Sequence, residues 1–109
     1  MAQEKYLIFA DSTSDSIMFP ASKIAFLENT DADTMQIHFH PGTDNTAGSV
    51  IFEITADKGV EFSKLLFEAI RSSRSPHIVV ADDVNSEYFS ASFAGTTVAA
   101  TACTTIALL

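Results

Sequence analysis

This chain of 109 residues is short of several residue types, and each shortage narrows what it can be. Its one cysteine, Cys103, cannot form a disulfide within the chain, which favours a reducing compartment. Tryptophan is absent, which disfavours sites that hold sugars or bases by stacking. No apolar run reaches the roughly 20 residues of a membrane helix, and the first residues do not form a secretion signal.

Positive charge is also scarce. Six lysines and arginines stand against 14 acidic residues, giving a net charge of −8. Such a surface repels phosphate backbones, so we expect no direct contact with nucleic acid. Apolar residues, by contrast, make up 47% of the chain and include nine phenylalanines. This composition predicts one globular domain, residues 1–109, with its own core.

Short apolar or alternating runs predict strands along most of the chain. The clearest covers residues 34–40, where Met35, Ile37 and Phe39 alternate with polar residues. Residues 49–55 alternate in the same way and should pair with it as a hairpin. Further strands are predicted over residues 5–10, 17–19, 23–28, 77–81, 88–93 and 96–109. Strands around a single helix predict an α+β fold, a mostly antiparallel sheet with the helix packed on one face.

That helix is predicted at about residues 57–72, the segment with a clear helical period. Thr55 is placed to cap the first turn, where Asp57 would complement the helix dipole. Gly59 should weaken the same turn by up to about 1 kcal/mol relative to alanine. The face predicted to pack on the sheet consists of Phe62, Leu65, Leu66, Ala69 and Ile70.

Val60 and Phe67 form a second, smaller apolar stripe on the opposite side of the helix. They are seven residues apart, close to two helical turns. A helix lying on a sheet needs one apolar stripe, so the second requires its own explanation. Either a loop or the C-terminal segment folds over Phe67, or both residues contact another protein chain.

The last part of the chain, residues 88–109, carries no charged side chain and is rich in residues that favour strands. A long neutral strand at an exposed edge would invite aggregation. We therefore expect this segment either to lie centrally in the sheet or to be covered by other subunits, with its last residues ordered in both cases. The predicted interface residues are Val60, Phe67, Val98, Ile106, Leu108 and Leu109.

A pair of histidines offers the one metal-binding pattern. His38 and His40 fall on the same side of a predicted strand, and Asp44 follows. The pattern resembles the first half of a cupin metal motif, His-x-His followed by an acid. It departs from that motif because the acid is not glutamate, the upstream glycine is missing and no second half appears. The simpler interpretation is two solvated histidines on a strand.

The remaining polar clusters fit turns better than active sites. Residues 29–33 alternate oxygen-bearing side chains like a calcium loop, but lack its glycine and closing glutamate. Cys103 has no neighbouring histidine and is interpreted as a small buried apolar group. Four more acids lie in predicted turns, where aspartate is common: Asp11, Asp15, Asp82 and Asp83. With no nucleophile elbow and no glycine-rich phosphate loop, we expect neither enzymatic activity nor a cofactor.

In its order of elements the chain resembles small proteins encoded among the structural genes of tailed, especially marine, bacteriophages. The resemblance rests on the opening strand, residues 5–10, on the proline-broken stretch, residues 17–24, on the strand and helix of residues 50–70, and on residues 79–83. It implies a virion component such as a capsid decoration (cement) protein, assembled in the host cytoplasm and bound to a major capsid or other virion protein.

We therefore predict a non-enzymatic structural protein that forms homo-oligomers and joins a larger particle, with no membrane or nucleic-acid partner. Multivalent contact would make weak individual contacts hold firmly. The alternative is a small cupin-like metal-binding protein or enzyme that uses His38 and His40.

Overall fold

A computed structural model describes residues 5–40 and 48–108, and it confirms the α+β class. Within these residues, one helix, α1 (Gly59–Ser72), follows five strands and precedes four more. A short 3₁₀ turn at Ala21–Lys23 separates the second strand from the third. The strands are β1 (Tyr6–Ser12), β2 (Asp15–Pro20), β3 (Ile24–Asp31), β4 (Thr34–Phe39), β5 (Gly48–Ile54), β6 (His77–Asp82), β7 (Glu87–Tyr88), β8 (Ser90–Phe93) and β9 (Thr96–Leu108).

The strands divide into two sheets. The four-stranded sheet has the order β2-β1-β6-β7, and the five-stranded sheet has the order β3-β4-β5-β9-β8. In the part of the chain that the structure describes, β1 and β6 pair in parallel and every other pair is antiparallel. The predicted hairpin of β4 and β5 is confirmed, with Met35 opposite Phe52 and Ile37 opposite Val50.

The strand predicted over residues 88–93 is wrong as one element, because the chain changes sheets at Phe89. Tyr88 pairs with Ala81 in the four-stranded sheet, whereas Ser90 pairs with Ala99 in the five-stranded sheet. Between them, the Phe89 N–H donates to the carbonyl of Val80 and the Phe89 carbonyl accepts from Ala100. A single residue therefore ties the two sheets together through its backbone.

Both sheets and the helix contribute phenylalanines to one core. The rings of Phe9 and Phe52, one from each sheet, lie 5.4 Å apart. Phe62 of the helix lies 5.5 Å from Phe52 and meets Phe89 edge to face at 5.6 Å. These are favourable separations for aromatic pairs. These contacting rings thus join the two sheets to each other and to the helix.

The helix packs on the predicted face. Phe62 and Leu66 are completely buried, and Leu65, Ala69 and Ile70 are half-buried against the core. After the helix, the ammonium group of Lys5 donates to the carbonyls of Ser73 and Ser75, which ties β1 to the following loop. Within residues 5–40 and 48–108, no helix is long and apolar enough to cross a membrane.

The predicted start of the helix is wrong, because the residues predicted to cap it, Thr55 and Asp57, form hydrogen bonds with other parts of the fold. The Thr55 hydroxyl accepts from the Ala99 N–H at 3.0 Å and so serves β9 instead of the helix. Asp57 adopts a left-handed backbone conformation with φ 63°, and its backbone N–H donates to the carbonyl of Ala32. The helix therefore begins at Gly59 with Lys58 at the N-cap and no side-chain cap.

The neutral C-terminal segment occupies an interior position. Strand β9 lies between β5 and β8 in the strand order, and it pairs with β8 over residues 96–99 and with β5 over residues 100–108. The strand order agrees with the predicted central position, but the two partners border different halves of β9. Among the described residues, no second strand ladder borders residues 101–108, so cover of this half of the segment by another subunit stays a prediction.

Candidate functional site

The helix stripe remains uncovered. Val60 is 66% exposed and Phe67 is 46% exposed. No segment among residues 5–40 and 48–108 folds over them, so the predicted cover by a loop or by the C-terminal strand is not found there. Both side chains are available to another protein chain.

The predicted interface residues of the C-terminal strand behave differently. Val98 is completely buried in the core, so its assignment to an interface is wrong. Strand alternation turns it inward, where it fills the space between the sheets. Ile106 pairs with Val50 and is half-buried against the same core. The Leu108 backbone pairs with Gly48. The Leu108 side chain and all of Leu109 lie outside the described part of the structure.

A second apolar surface lies on the outer face of the four-stranded sheet, the side turned away from the core. It consists of Tyr6, Ile8, Met18 and Val79. Ile8 pairs with Met18 on one side and with Val79 on the other, so these three side chains lie side by side across three strands. Met18 is 60% exposed and Tyr6 is 40% exposed. Sequence reasoning missed this face, because a continuous apolar run such as residues 6–10 does not reveal which side is solvated.

One end of the outer face opens into a cavity of about 330 Å³. The cavity lies where the parallel strands β1 and β6 reach their carboxyl ends. Its lining combines apolar and hydroxyl-bearing side chains around one carboxylate and consists of Ile8, Ala10, Ser12, Thr13, Ser16, Asp82, Val84 and Asn85. The volume falls at the low end of the range for small-ligand pockets.

Asp82 is the charged residue of this cavity and is 6% exposed. Its Oδ1 accepts the N–H groups of Val84 at 2.9 Å and Asn85 at 3.1 Å. Its Oδ2 accepts the side-chain amide of Asn85 at 2.9 Å. These hydrogen bonds, the one from the Asn85 side chain above all, lower the pKa of Asp82. Asp82 is the last residue of β6 and not a turn residue as predicted, but its carboxylate binds the turn that follows and keeps a negative charge at the cavity.

The neighbouring Asp83 holds the turn to the five-stranded sheet. Its Oδ1 accepts the Tyr88 hydroxyl at 2.7 Å and the Cys103 N–H at 3.1 Å. The hydrogen bond to Asp83 raises the pKa of Tyr88 to about 12. Burial, followed by the nearby carboxylates, raises the pKa of the Cys103 thiol to about 12. A thiol held protonated in this way is a poor nucleophile, in agreement with the sequence interpretation of Cys103.

The histidine pair has local partners in place of a metal centre. His38 Nε2 lies 2.7 Å from the carboxylate of Glu28, and its ring stacks on Phe26 at 4.3 Å. His40 is exposed, and its backbone N–H donates to the carbonyl of Lys23. Asp44 lies outside the described residues. Among residues 5–40 and 48–108, no three His, Cys, Asp or Glu side chains converge as metal ligands would.

The calcium-like stretch at residues 29–33 is not one turn, as predicted, because residues 29–31 continue β3 and the turn is confined to Ala32 and Asp33. The Asn29 amide donates to the carbonyls of Asp31 at 2.6 Å and Thr34 at 2.8 Å. These bonds direct the polar groups of the stretch toward its own backbone, so the β3–β4 turn is a structural element.

The structure therefore presents two uncovered apolar surfaces, one on the helix and one on the four-stranded sheet, and the second ends in an acidic cavity. Comparisons with protein-family models, with curated proteins and with solved structures give no match for this chain.

Proposed function

We propose that this chain is a non-enzymatic structural protein that associates with copies of itself and attaches to a larger particle, as a capsid decoration protein does. The observation that carries the proposal is the exposure of Val60 and Phe67. Neither residue belongs to the buried core, which the opposite face of the same helix contacts. Apolar side chains aligned over two turns and left in water favour contact with another protein.

The energetics fit multivalent assembly better than a tight dimer. Fully burying a large apolar side chain contributes roughly 1.5–3 kcal/mol. Val60 and Phe67 would each gain only part of this, because they are 66% and 46% exposed before contact. One such contact is weak. Several copies on a symmetric shell would bind together much more firmly, because each bound copy raises the effective concentration of the next contact. The phage resemblance in the order of elements supports a virion shell as that particle.

Size-exclusion chromatography with light scattering, at tens of micromolar protein, tests the self-association. We expect an oligomer for the wild type and a monomer for the double variant Val60→Ser, Phe67→Ser. Met18→Ser is the matched control, since it removes an equally exposed apolar side chain from a different element and should leave the oligomer intact. A strictly monomeric wild type would count against this part of the proposal.

Attachment to a particle needs a separate experiment. Antibody labelling of native particles from the source lysate, viewed by electron microscopy, should place regularly spaced copies on their surface. Particles without label, from cells that express the chain, would exclude the virion role.

A further inference from the structure

The outer face of the four-stranded sheet and its cavity form one continuous surface. Ile8 belongs to both, because it lies between Met18 and Val79 on the sheet and also lines the cavity. A chain segment lying across the sheet would therefore pass directly over the cavity. The apolar part of this surface is neutral, and the cavity adds a carboxylate at one end.

The cavity has two kinds of wall. Ile8, Ala10 and Val84 are apolar, whereas serine, threonine and asparagine side chains supply the polar part around Asp82. None of the residues that line it is basic. An occupant with an aliphatic stem and a hydrogen-bonding head would match both walls.

Asp82 has room for one more donor. Its Oδ1 already accepts two N–H groups, but its Oδ2 accepts one hydrogen bond among the described residues. A carboxylate oxygen has two lone pairs, so Oδ2 can still accept a donor from outside. A cationic donor is preferred, because a charged hydrogen bond to a partly buried carboxylate is stronger than a neutral one. Lysine and arginine combine such a head with an apolar stem.

We propose that this surface docks a segment of a basic partner protein, which lies across Ile8 and Met18 and inserts a lysine or arginine side chain into the Asp82 cavity. Charge selects the occupant. A basic surface gains from the net charge of −8, and this chain, with six basic residues against 14 acidic ones, is a poor source of the inserted cation. The inference rests on the proposed function and specifies it, since it separates the surface that meets the larger particle from the helix stripe that meets other copies.

A peptide titration followed by amide NMR shifts of the labelled full chain tests this docking. The probe is a capped pentapeptide with a central arginine flanked by leucines, and the matched probe replaces arginine with citrulline, which is the same shape without the charge. We expect saturable shifts at Ile8, Ser16 and Asn85 with arginine, and binding at least about tenfold weaker with citrulline. Ser16→Leu, which narrows the cavity mouth, should weaken the arginine peptide similarly. Ser14→Leu, outside the lining, should not.

Three results would overturn the inference. Equal binding of the arginine and citrulline peptides would show that charge plays no part. Equal binding of the peptide and of free arginine amide would make the cavity a small-molecule site instead of part of a docking surface. No shifts at the cavity would remove it altogether. A monomeric wild type combined with arginine-dependent binding would refute self-association alone, so the two failures can be told apart.

Discussion

Gly59 provides a sharp test of how the helix is anchored. It is the first helical residue and is buried against Asn29 of β3. A Cβ at this position would lie 2.6 Å from Asn29 Cγ and closer still to Asn29 Oδ1. Nonbonded atoms do not approach so closely, so Gly59→Ala must displace the Asn29 side chain.

The displacement costs the two hydrogen bonds that Asn29 donates to Asp31 and Thr34. Each contributes a net of about 0.5–1.5 kcal/mol, and because both are exposed, water recovers part of the loss. Alanine in place of glycine returns up to about 1 kcal/mol through helix propensity. We expect Gly59→Ala to lower the free energy of unfolding by about 1 kcal/mol, since the steric displacement outweighs the propensity gain.

Urea denaturation followed by far-ultraviolet circular dichroism measures this change, in a double-mutant cycle with Asn29→Gly. Without the Asn29 side chain, Gly59→Ala should become neutral or stabilising, so the destabilisation seen in the wild-type background should disappear or reverse. Gly95→Ala is the control. Gly95 has φ +83° with open space around it, so that substitution should destabilise equally in both. Equal destabilisation by Gly59→Ala with and without Asn29 would refute the steric reasoning.

Two predictions concern the protonated groups beside Asp83. The buried Cys103 thiol, with its pKa raised to about 12, should resist iodoacetamide near neutral pH in the folded protein and react once urea unfolds it; rapid modification without unfolding would contradict its burial. The free energy of unfolding should fall as pH rises from about 9 toward 12. In the unfolded chain each group loses its proton near its ordinary pKa, 9.0 for Cys103 and 10.0 for Tyr88. The folded state raises both pKa values to about 12, so deprotonation at alkaline pH favours the unfolded chain. Urea titrations should show a smaller alkaline loss for the double variant Tyr88→Phe, Cys103→Ala, and an unchanged loss would exclude these two groups as its cause.

The period of apolar residues predicts burial correctly where the burial depends on a single strand or helix. The alternation of Met35 and Ile37 predicted their burial, and the spacing of Phe62 and Leu66 predicted the buried face of the helix. The sequence does not decide between the two explanations of the opposite stripe, because whether Phe67 is covered depends on segments far away in the chain.

Predictions about residues whose partners lie far away in the chain were wrong more often. Thr55 has the right residue type and position for a helix cap, yet Ala99 of β9 pairs with its hydroxyl. Val98 looked like an interface residue in a neutral strand, but it faces the core. The outer sheet face and the Asp82 cavity had no local signal at all, since strands that lie far apart along the chain bring their residues together.

The amino-acid sequence by itself determined the α+β class, the single helix with its buried face, the position of most strands and the acidic character of the surface. These properties depend on periods of two and 3.6 residues and on composition, all of which are local or additive. Tertiary structure alone decided the division into two sheets, the change of sheet at Phe89 and the joining of Ile8 and Asp82 in one surface. Those features depend on pairing between distant strands, where backbone hydrogen bonds and shared burial choose among registers that no short stretch of sequence can distinguish.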